Sequence, residues 1–186
     1  MLLAEKILTY QEYKQLEFED NDLFIYELLN GTIMRKSSPT IQHQRIVRKI
    51  TRAIENFLDD NPMGEVLFAP LDVVLSEKDA TQPDVLFISN EKKAILNEEE
   101  QVVIGVPDIL VEVLSPGSIR RDKIDKKNIY ERVGVPEFWI VDPFSKTIEV
   151  LKLVKGQYDL FDFEEATGSI KSSVLQGFEL DLEKVF

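Results

Sequence analysis

The chain has 186 residues, of which 44% are apolar and 30% are charged, so it can bury the core of one domain of ordinary size. It contains no cysteine and one histidine, which excludes disulfides, thiolate zinc sites, iron–sulfur clusters, cysteine nucleophiles and histidine-rich metal sites. The net charge of −12 counts against a protein that holds nucleic acid by overall charge, because phosphate binding depends on lysine and arginine. We expect a single domain over residues 1–186.

The N-terminal region is predicted to contain a short helix and a β-hairpin. Thr9 and Glu12 have the Thr-x-x-Glu spacing of a capping box, which predicts a helix that starts at Thr9. Asn30-Gly31 is a strong hairpin turn signal between two apolar runs. The strands predicted on either side of this turn are Phe24–Leu29 and Thr32–Met34.

Two longer helices and a series of strands follow. Apolar residues at three- and four-residue spacing predict one helix over Ile41–Leu58 and another over Ile119–Val133, the second closed by Gly134. Short apolar runs predict the central strands Val66–Phe68, Leu71–Leu75, Val85–Ile88, Ile109–Leu114 and Phe138–Val141. After Pro143 the pattern is that of a β-meander. Its strands are Thr147–Val154 and Tyr158–Phe163, joined by a Lys155-Gly156 turn.

No targeting or membrane-spanning segment is predicted. The N-terminal residues lack a basic region followed by a long apolar run, so they do not match a secretory signal. No run of about 18 apolar residues occurs anywhere in the chain. We therefore expect a soluble, cytoplasmic protein that does not bind a membrane.

Three acidic residues occupy apolar strands, where a carboxylate is costly. Asp84 opens one strand, Glu112 lies in the middle of another and Asp142 ends a third. A carboxylate inside a buried strand costs several kcal/mol unless it is paired or bound to a metal ion. Glu112 is therefore expected either to pair with a lysine or arginine or to bind a cation.

The helix predicted after Glu112 supplies further candidates. Asp122, Lys126 and Tyr130 are four residues apart, so they share one helical face. Together with Asp84 and Glu112 they could converge on Mg²⁺ or Mn²⁺, which prefer carboxylate oxygens as ligands. The spacing of Asp122 and Lys126 also fits an ordinary ion pair within a helix.

In their order along the chain, these residues resemble the Uma2 family of restriction-endonuclease-like proteins, within the PD-(D/E)xK nuclease superfamily. The resemblance extends over most of the chain. It rests on Tyr26-Glu27-Leu28 with Asn30-Gly31, Pro39 to His43, Pro83-Asp84-Val85, Val111 to Pro116, Asp122 with Lys126 and Tyr130, and Gly134 to Pro143. It implies a restriction endonuclease-like α/β fold, with a central mixed β-sheet flanked by helices and with the N-terminal hairpin and C-terminal meander as additions.

The resemblance also implies an activity and a set of site residues. The activity is metal-dependent endonuclease cleavage of phosphodiester bonds, with DNA as the expected substrate and Mg²⁺ or Mn²⁺ as the cofactor. Asp84 and Glu112 match the two acidic metal ligands, and the backbone carbonyl of Val113 is the usual additional ligand. Lys126 matches the lysine that this family carries on the following helix. The possible accessory residues are Glu27, His43, Asp122 and Tyr130.

One departure from the superfamily pattern supports an alternative function. Leu114 occupies the position, two residues after Glu112, where the superfamily has the lysine that positions the attacking water. The alternative is a catalytically inactive module that keeps the nuclease fold and binds nucleic acid or another partner.

Basic residues form two local clusters on this acidic chain. One lies along the helix predicted over Ile41–Leu58, and the other opens the helix after Glu112. Such clusters are found on solvated helix faces, and they are also the pattern expected where phosphate groups bind locally. The predicted nucleic-acid contacts are Arg45, Arg48, Lys49, Arg52, Arg120 and Arg121. Apolar strands near the C-terminus could support a homodimer.

Overall fold

The structure is a computed structural model that describes residues 7–16, 25–36 and 38–186. Strands β1 to β14 are, in chain order, Ile25–Leu29, Thr32–Lys36, Gly64–Phe68, Val73–Ser76, Asp79–Thr81, Val85–Ser89, Leu96–Asn97, Val102–Ile104, Ile109–Val113, Glu137–Asp142, Thr147–Val154, Gln157–Glu165, Ser169–Lys171 and Glu179–Asp181. Helices α1 to α4 are Tyr10–Tyr13, Ile41–Asp60, Lys127–Val133 and Leu182–Val185. A 3₁₀ helix covers Asn90–Ile95, and a π-helical segment over Arg121–Lys126 leads directly into α3. Among the described helices, none is long and apolar enough to cross a membrane.

Both N-terminal helices begin at threonine caps. The Thr9 side chain accepts a hydrogen bond from the Glu12 backbone N–H, and the Glu12 carboxylate accepts one from the Thr9 backbone N–H at 2.9 Å, which confirms the capping box. The Thr40 hydroxyl accepts a hydrogen bond from the His43 backbone N–H at 3.1 Å at the start of α2. Helix α2 confirms the long amphipathic helix predicted from Ile41.

The predicted hairpin is confirmed as β1 and β2. Asn30 and Gly31 have φ angles of 51° and 76°, the left-handed conformations that a tight two-residue turn requires. Strand β2 continues to Lys36, two residues beyond its predicted end at Met34. Phe24, predicted as the first residue of β1, lies outside the described residues.

The central mixed sheet has six strands in the order β12-β11-β10-β9-β6-β3. Strands β9 and β10 are parallel, and the other neighbours are antiparallel. Every residue of β9 is buried, which confirms that this strand has both faces covered. Val111 and Val113 pack in the cluster formed with α2, whereas Leu110 packs on the opposite face with α3. By the same alternation, Glu112 points toward α3.

A second six-stranded sheet, in the order β2-β1-β5-β4-β8-β7, was not predicted from the sequence. The hairpin is therefore part of a large sheet rather than an isolated addition to the central one. Strands β5, β7 and β8 have three, two and three residues, which is too short for an alternating pattern to indicate a strand. The predicted α/β class with a central mixed sheet is confirmed, and the predicted meander, β11 and β12, extends that sheet at one edge.

A buried glutamate joins the C-terminal residues to the central sheet. Glu137 is inaccessible to solvent, and its carboxylate accepts hydrogen bonds from the indole N–H of Trp139, the hydroxyl of Ser172 and the backbone N–H of Ser173, at 2.7, 2.7 and 2.6 Å. Trp139 is a core residue, as predicted. These charge-assisted hydrogen bonds fix the loop that precedes β14.

We expect Glu137→Ala to lower the free energy of unfolding by about 2–4 kcal/mol, because it leaves several buried donors without an acceptor. Urea unfolding monitored by circular dichroism measures the change. Glu99→Ala, at an exposed position, is the control and should have little effect. Equal stabilities of the two variants would contradict this role of Glu137.

Candidate active site

The predicted site residues converge from separate parts of the fold. Asp84 precedes β6, Glu112 lies in β9, Glu27 in β1 and Lys126 at the end of the π-helical segment. Their exposed fractions are 3%, 0%, 1% and 0%, so the group is closed to solvent. Asp142 does not join them, and its carboxylate accepts backbone N–H groups in the turn after β10, as expected for a strand end.

Both oxygens of the Asp84 carboxylate have partners. Oδ1 lies 3.1 Å from Nζ of Lys36, and Oδ2 lies 3.0 Å from Nε2 of His43 and accepts the Val113 backbone N–H at 2.7 Å. Burial would raise the pKa of Asp84, but the hydrogen bond to His43 and the charge of Lys36 hold that pKa well below its usual range. Asp84 is therefore an ionised carboxylate in a fixed orientation.

The two oxygens of Glu112 have different surroundings. Oε1 accepts hydrogen bonds from Nζ of Lys126 and from the hydroxyl of Tyr130, both at 2.7 Å. Oε2 is buried and has no hydrogen-bond partner in the described part of the chain, with Nζ of Lys36 at 3.9 Å. Burial raises the pKa of Glu112 to about 8, against the opposing effect of Lys126 and with a further increase from Asp122.

Lys126 is enclosed by carboxylates. Its Nζ lies 2.7 Å from Oε1 of Glu112, 2.7 Å from Oε1 of Glu27 and 3.9 Å from Oδ1 of Asp122. Burial would lower the pKa of Lys126, but Glu112 and Glu27 raise it well above its usual value, so Lys126 remains charged. The pKa of Glu27 would also rise through burial, yet Lys126 and Lys36 lower it overall.

The structure therefore brings the proposed accessory residues Glu27, Asp122 and Tyr130 to the same group as Lys126 and Glu112. His43 reaches the group through Asp84. The chemical roles assigned to all of them stay predictions.

Lys36 is the site residue that sequence reasoning missed. Its Nζ lies between Asp84 and Glu112, and its side chain is 7% exposed. Burial and the nearby charge of Lys126 would lower the pKa of Lys36, but the carboxylates around it raise that pKa overall. A lysine at the end of a strand carries no sequence signal, and β2 was predicted to stop before it.

The donor chemistry around Asp84 and Glu112 fits a divalent cation with one condition. Two carboxylates offer oxygen ligands, and Oε2 of Glu112 is a buried acceptor without a hydrogen bond in the described part of the chain. The Val113 carbonyl stays a predicted ligand. No group of three or more His, Asp or Glu side chains in the described ranges is arranged to hold a metal ion. The condition is that the Lys36 ammonium lies between these carboxylates, so a cation would have to compete with it for them.

Some of the residues predicted to contact nucleic acid are exposed, and others form contacts within the protein. Arg45, Arg48 and Arg52 are exposed along α2, and Arg120 is exposed before the π-helical segment. Lys49 is half-buried and donates a hydrogen bond to the backbone carbonyl of Val185 at 2.9 Å, so it is engaged with the C-terminal helix.

Arg121 also differs from its predicted role. It is 8% exposed, and its Nε lies 3.8 Å from Oε2 of Glu27 and 3.4 Å from Oδ1 of Asp122. The π-helical segment turns this side chain inward, where it balances buried carboxylates. In this structure Arg121 is not available to contact phosphate as predicted, whereas the predicted role of the half-buried Lys49 stays a prediction.

Comparison with known proteins relates the chain to nucleases. A family model, Uma2, described as "Putative restriction endonuclease", matches residues 10–183. A crystal structure from Anabaena variabilis, described as that of a "putative nuclease belonging to DUF820", superposes with a TM-score of 0.76 at 20% identity, covering 96% of this chain and 97% of that chain. No curated protein matches the chain significantly. The structural likeness establishes the restriction endonuclease-like fold.

Replacing Lys126 is expected to destabilise the protein. Lys126→Met should lower the free energy of unfolding by about 3–5 kcal/mol, because it leaves the ionised Glu27 buried without its counter-ion and removes a hydrogen-bond donor from Glu112. Chemical denaturation measures this loss, and Lys127→Met on the neighbouring, half-buried position is the control.

A double-mutant cycle tests the pairing itself. Because Lys126 and Glu112 are in direct contact, Glu112→Gln together with Lys126→Met should cost less than the sum of the single changes. Additive losses would show that the two side chains do not stabilise each other.

Proposed function

The chain belongs to the Uma2 family of restriction-endonuclease-like proteins, and on this premise we propose that it is an endonuclease that cleaves DNA with the help of Mg²⁺ or Mn²⁺. The observation that carries the proposal is the convergence of Asp84, Glu112 and Lys126. These residues come from three separate segments, and they match the acidic pair of the nuclease motif and the lysine that this family carries on the following helix. Buried, charged groups with shifted pKa values that meet in one place are also typical of catalytic centres.

Asp84 and Glu112 would hold the metal ion together with the Val113 carbonyl. When bound, the ion would stabilise negative charge on the phosphate and lower the pKa of a water molecule. The protein's own groups fix the two carboxylates for this task. The Val113 N–H and His43 orient Asp84 through Oδ2, at 2.7 and 3.0 Å.

Lys126 and Tyr130 orient Glu112. Both donate to Oε1, which leaves Oε2 as the oxygen that is not hydrogen-bonded in the described part of the chain. Burial raises the pKa of Tyr130 well above its usual value, so its hydroxyl stays protonated as a donor. The positive charge of Lys126 also offsets part of the negative charge of the surrounding carboxylates, which reduces their repulsion of a bound phosphate group.

A second candidate function is a nuclease-fold module that binds without cleaving. Leu114 is buried at the strand position where the superfamily has its lysine, and Lys36 lies between the two carboxylates that would hold the metal ion. Under this alternative, Lys36 is the permanent counter-ion of Asp84 and Glu112. Metal binding and cleavage distinguish the two functions.

We expect the purified protein to nick supercoiled plasmid DNA in the presence of Mg²⁺ or Mn²⁺. Asp84→Asn should reduce nicking by about 100-fold or more, because it removes a charged ligand of the ion. Gel electrophoresis of plasmid topoisomers measures the reaction. Asp142→Asn, a change in the turn after β10, should leave it unaffected. Nicking that survives Asp84→Asn would place the activity elsewhere or in a contaminant.

Removing the competing ammonium should strengthen metal binding. We expect Lys36→Met to bind Mn²⁺ about tenfold or more tightly than the unmodified protein, a difference of ~1.4 kcal/mol in binding free energy. Isothermal titration calorimetry measures both affinities, with Lys127→Met as the control. Equal affinities would show that Lys36 does not compete, and no Mn²⁺ binding by either protein at millimolar metal would favour the inactive module.

A further inference from the structure

A groove of about 820 Å³ runs along α2 beside the end of β3. This volume is within the range of ~300–1,000 Å³ in which ligand sites are commonly found. Helix α2 forms one wall, and Phe68 stands on the other. The residues that line the groove include Ile41, Arg45, Arg48, Arg52, Glu55 and Phe68.

Both walls of the groove are attached to the candidate active site. On the α2 side, Nε2 of His43 lies 3.0 Å from the Asp84 carboxylate. On the β3 side, Phe68 pairs with Val85, and the backbone N–H of Ala69 donates to the Asp84 carbonyl at 3.2 Å. The groove therefore lies next to Asp84, the buried residue proposed to hold the metal ion.

The groove carries a net positive charge, from three arginines against the exposed Glu55, on a chain whose net charge is −12. Arg45, Arg48 and Arg52 are exposed, and within the described ranges none of their guanidinium groups forms an ion pair. They occur at three- and four-residue spacing on one face of α2, so their charges follow the groove. A polyanion is the partner that this arrangement complements.

Exposed apolar surface accompanies these charges. Phe68 is 55% exposed and Ile41 is 73% exposed, although both lie next to a well-packed core. A row of phosphate-binding cations beside an aromatic ring is the arrangement by which proteins bind single strands, because each unpaired base offers a flat face for stacking. In a duplex the base faces are already stacked on one another and cannot reach such a ring.

We propose that this groove binds a single-stranded stretch of nucleic acid beside Asp84. The Phe68 ring stacks on a base, and Arg45, Arg48 and Arg52 contact the phosphates. The proposal builds on the proposed function for its class of substrate. Binding itself requires neither metal nor cleavage, so the two proposals can be tested separately.

The test is fluorescence anisotropy with the full chain in EDTA, using labelled oligodeoxythymidine and a duplex of equal length. We expect the single strand to bind more tightly than the duplex. Phe68→Ala should weaken single-strand binding by about fivefold or more, the lower end of the loss for one stacked base, whereas Phe68→Tyr should retain it. Phe161→Ala, which removes another exposed phenylalanine on β12, is the matched control.

Two further measurements test the phosphate contacts and the stacking directly, and a variant that had merely lost its structure would not give the results expected below. Arg48→Ala should reduce the slope of log affinity against log salt concentration by about 0.7. Phe68→Trp should give fluorescence that the oligonucleotide quenches, since the native Trp139 is buried away from the groove.

Equal effects of Phe68→Ala and Phe161→Ala, tighter binding of the duplex, or no binding of either oligonucleotide would overturn the proposal. Phe68-dependent binding without plasmid nicking would support this groove while contradicting the proposed nuclease function. Plasmid nicking without Phe68-dependent binding would do the reverse.

Discussion

The enclosure of the Lys126 ammonium by Glu27 and Glu112 is the interaction on which the rest of the site depends. Its Nζ lies 2.7 Å from each carboxylate, and none of the three side chains is more than 1% exposed. The contacts join β1 of the second sheet, β9 of the central sheet and the π-helical segment. Because a buried charge without its partner is strongly destabilising, the same contacts that arrange the site also hold these three parts together.

The surrounding residues divide the two oxygens of Glu112 between two lysines. Oε1 is hydrogen-bonded to Lys126, whereas Oε2 faces Lys36 across 3.9 Å. Lys36 also contacts Asp84, so this lysine balances the charge of the pair of carboxylates that a metal ion would use. Under the proposed function, a divalent cation would therefore enter a site whose negative charge is already partly neutralised. The exposed positive charge lies outside it, along α2, where a phosphate backbone can reach it.

The long elements and the acidic residues could be predicted from the sequence, but the contacts between them could not. Asp84 and Glu112 stand out because carboxylates are costly in apolar strands. Lys36 does not stand out in the sequence. Its role depends on the β1–β2 hairpin, which places its side chain next to Asp84 and Glu112, residues that are far away in the chain. Arg121 is predicted on a basic surface because it lies in the cluster of basic residues that opens the helix after Glu112, but the π-helical segment buries its side chain. The exposure of Phe68 likewise depends on packing that an apolar run does not specify.

A crystal soaked in Mn²⁺, with anomalous scattering recorded for manganese, tests the central claim most directly. We expect one manganese peak within ~2.0–2.6 Å of oxygens from both Asp84 and Glu112, with Nζ of Lys36 moved away from Asp84. The contradicting result is no manganese peak at these carboxylates at saturating Mn²⁺, with Lys36 still in contact with Asp84.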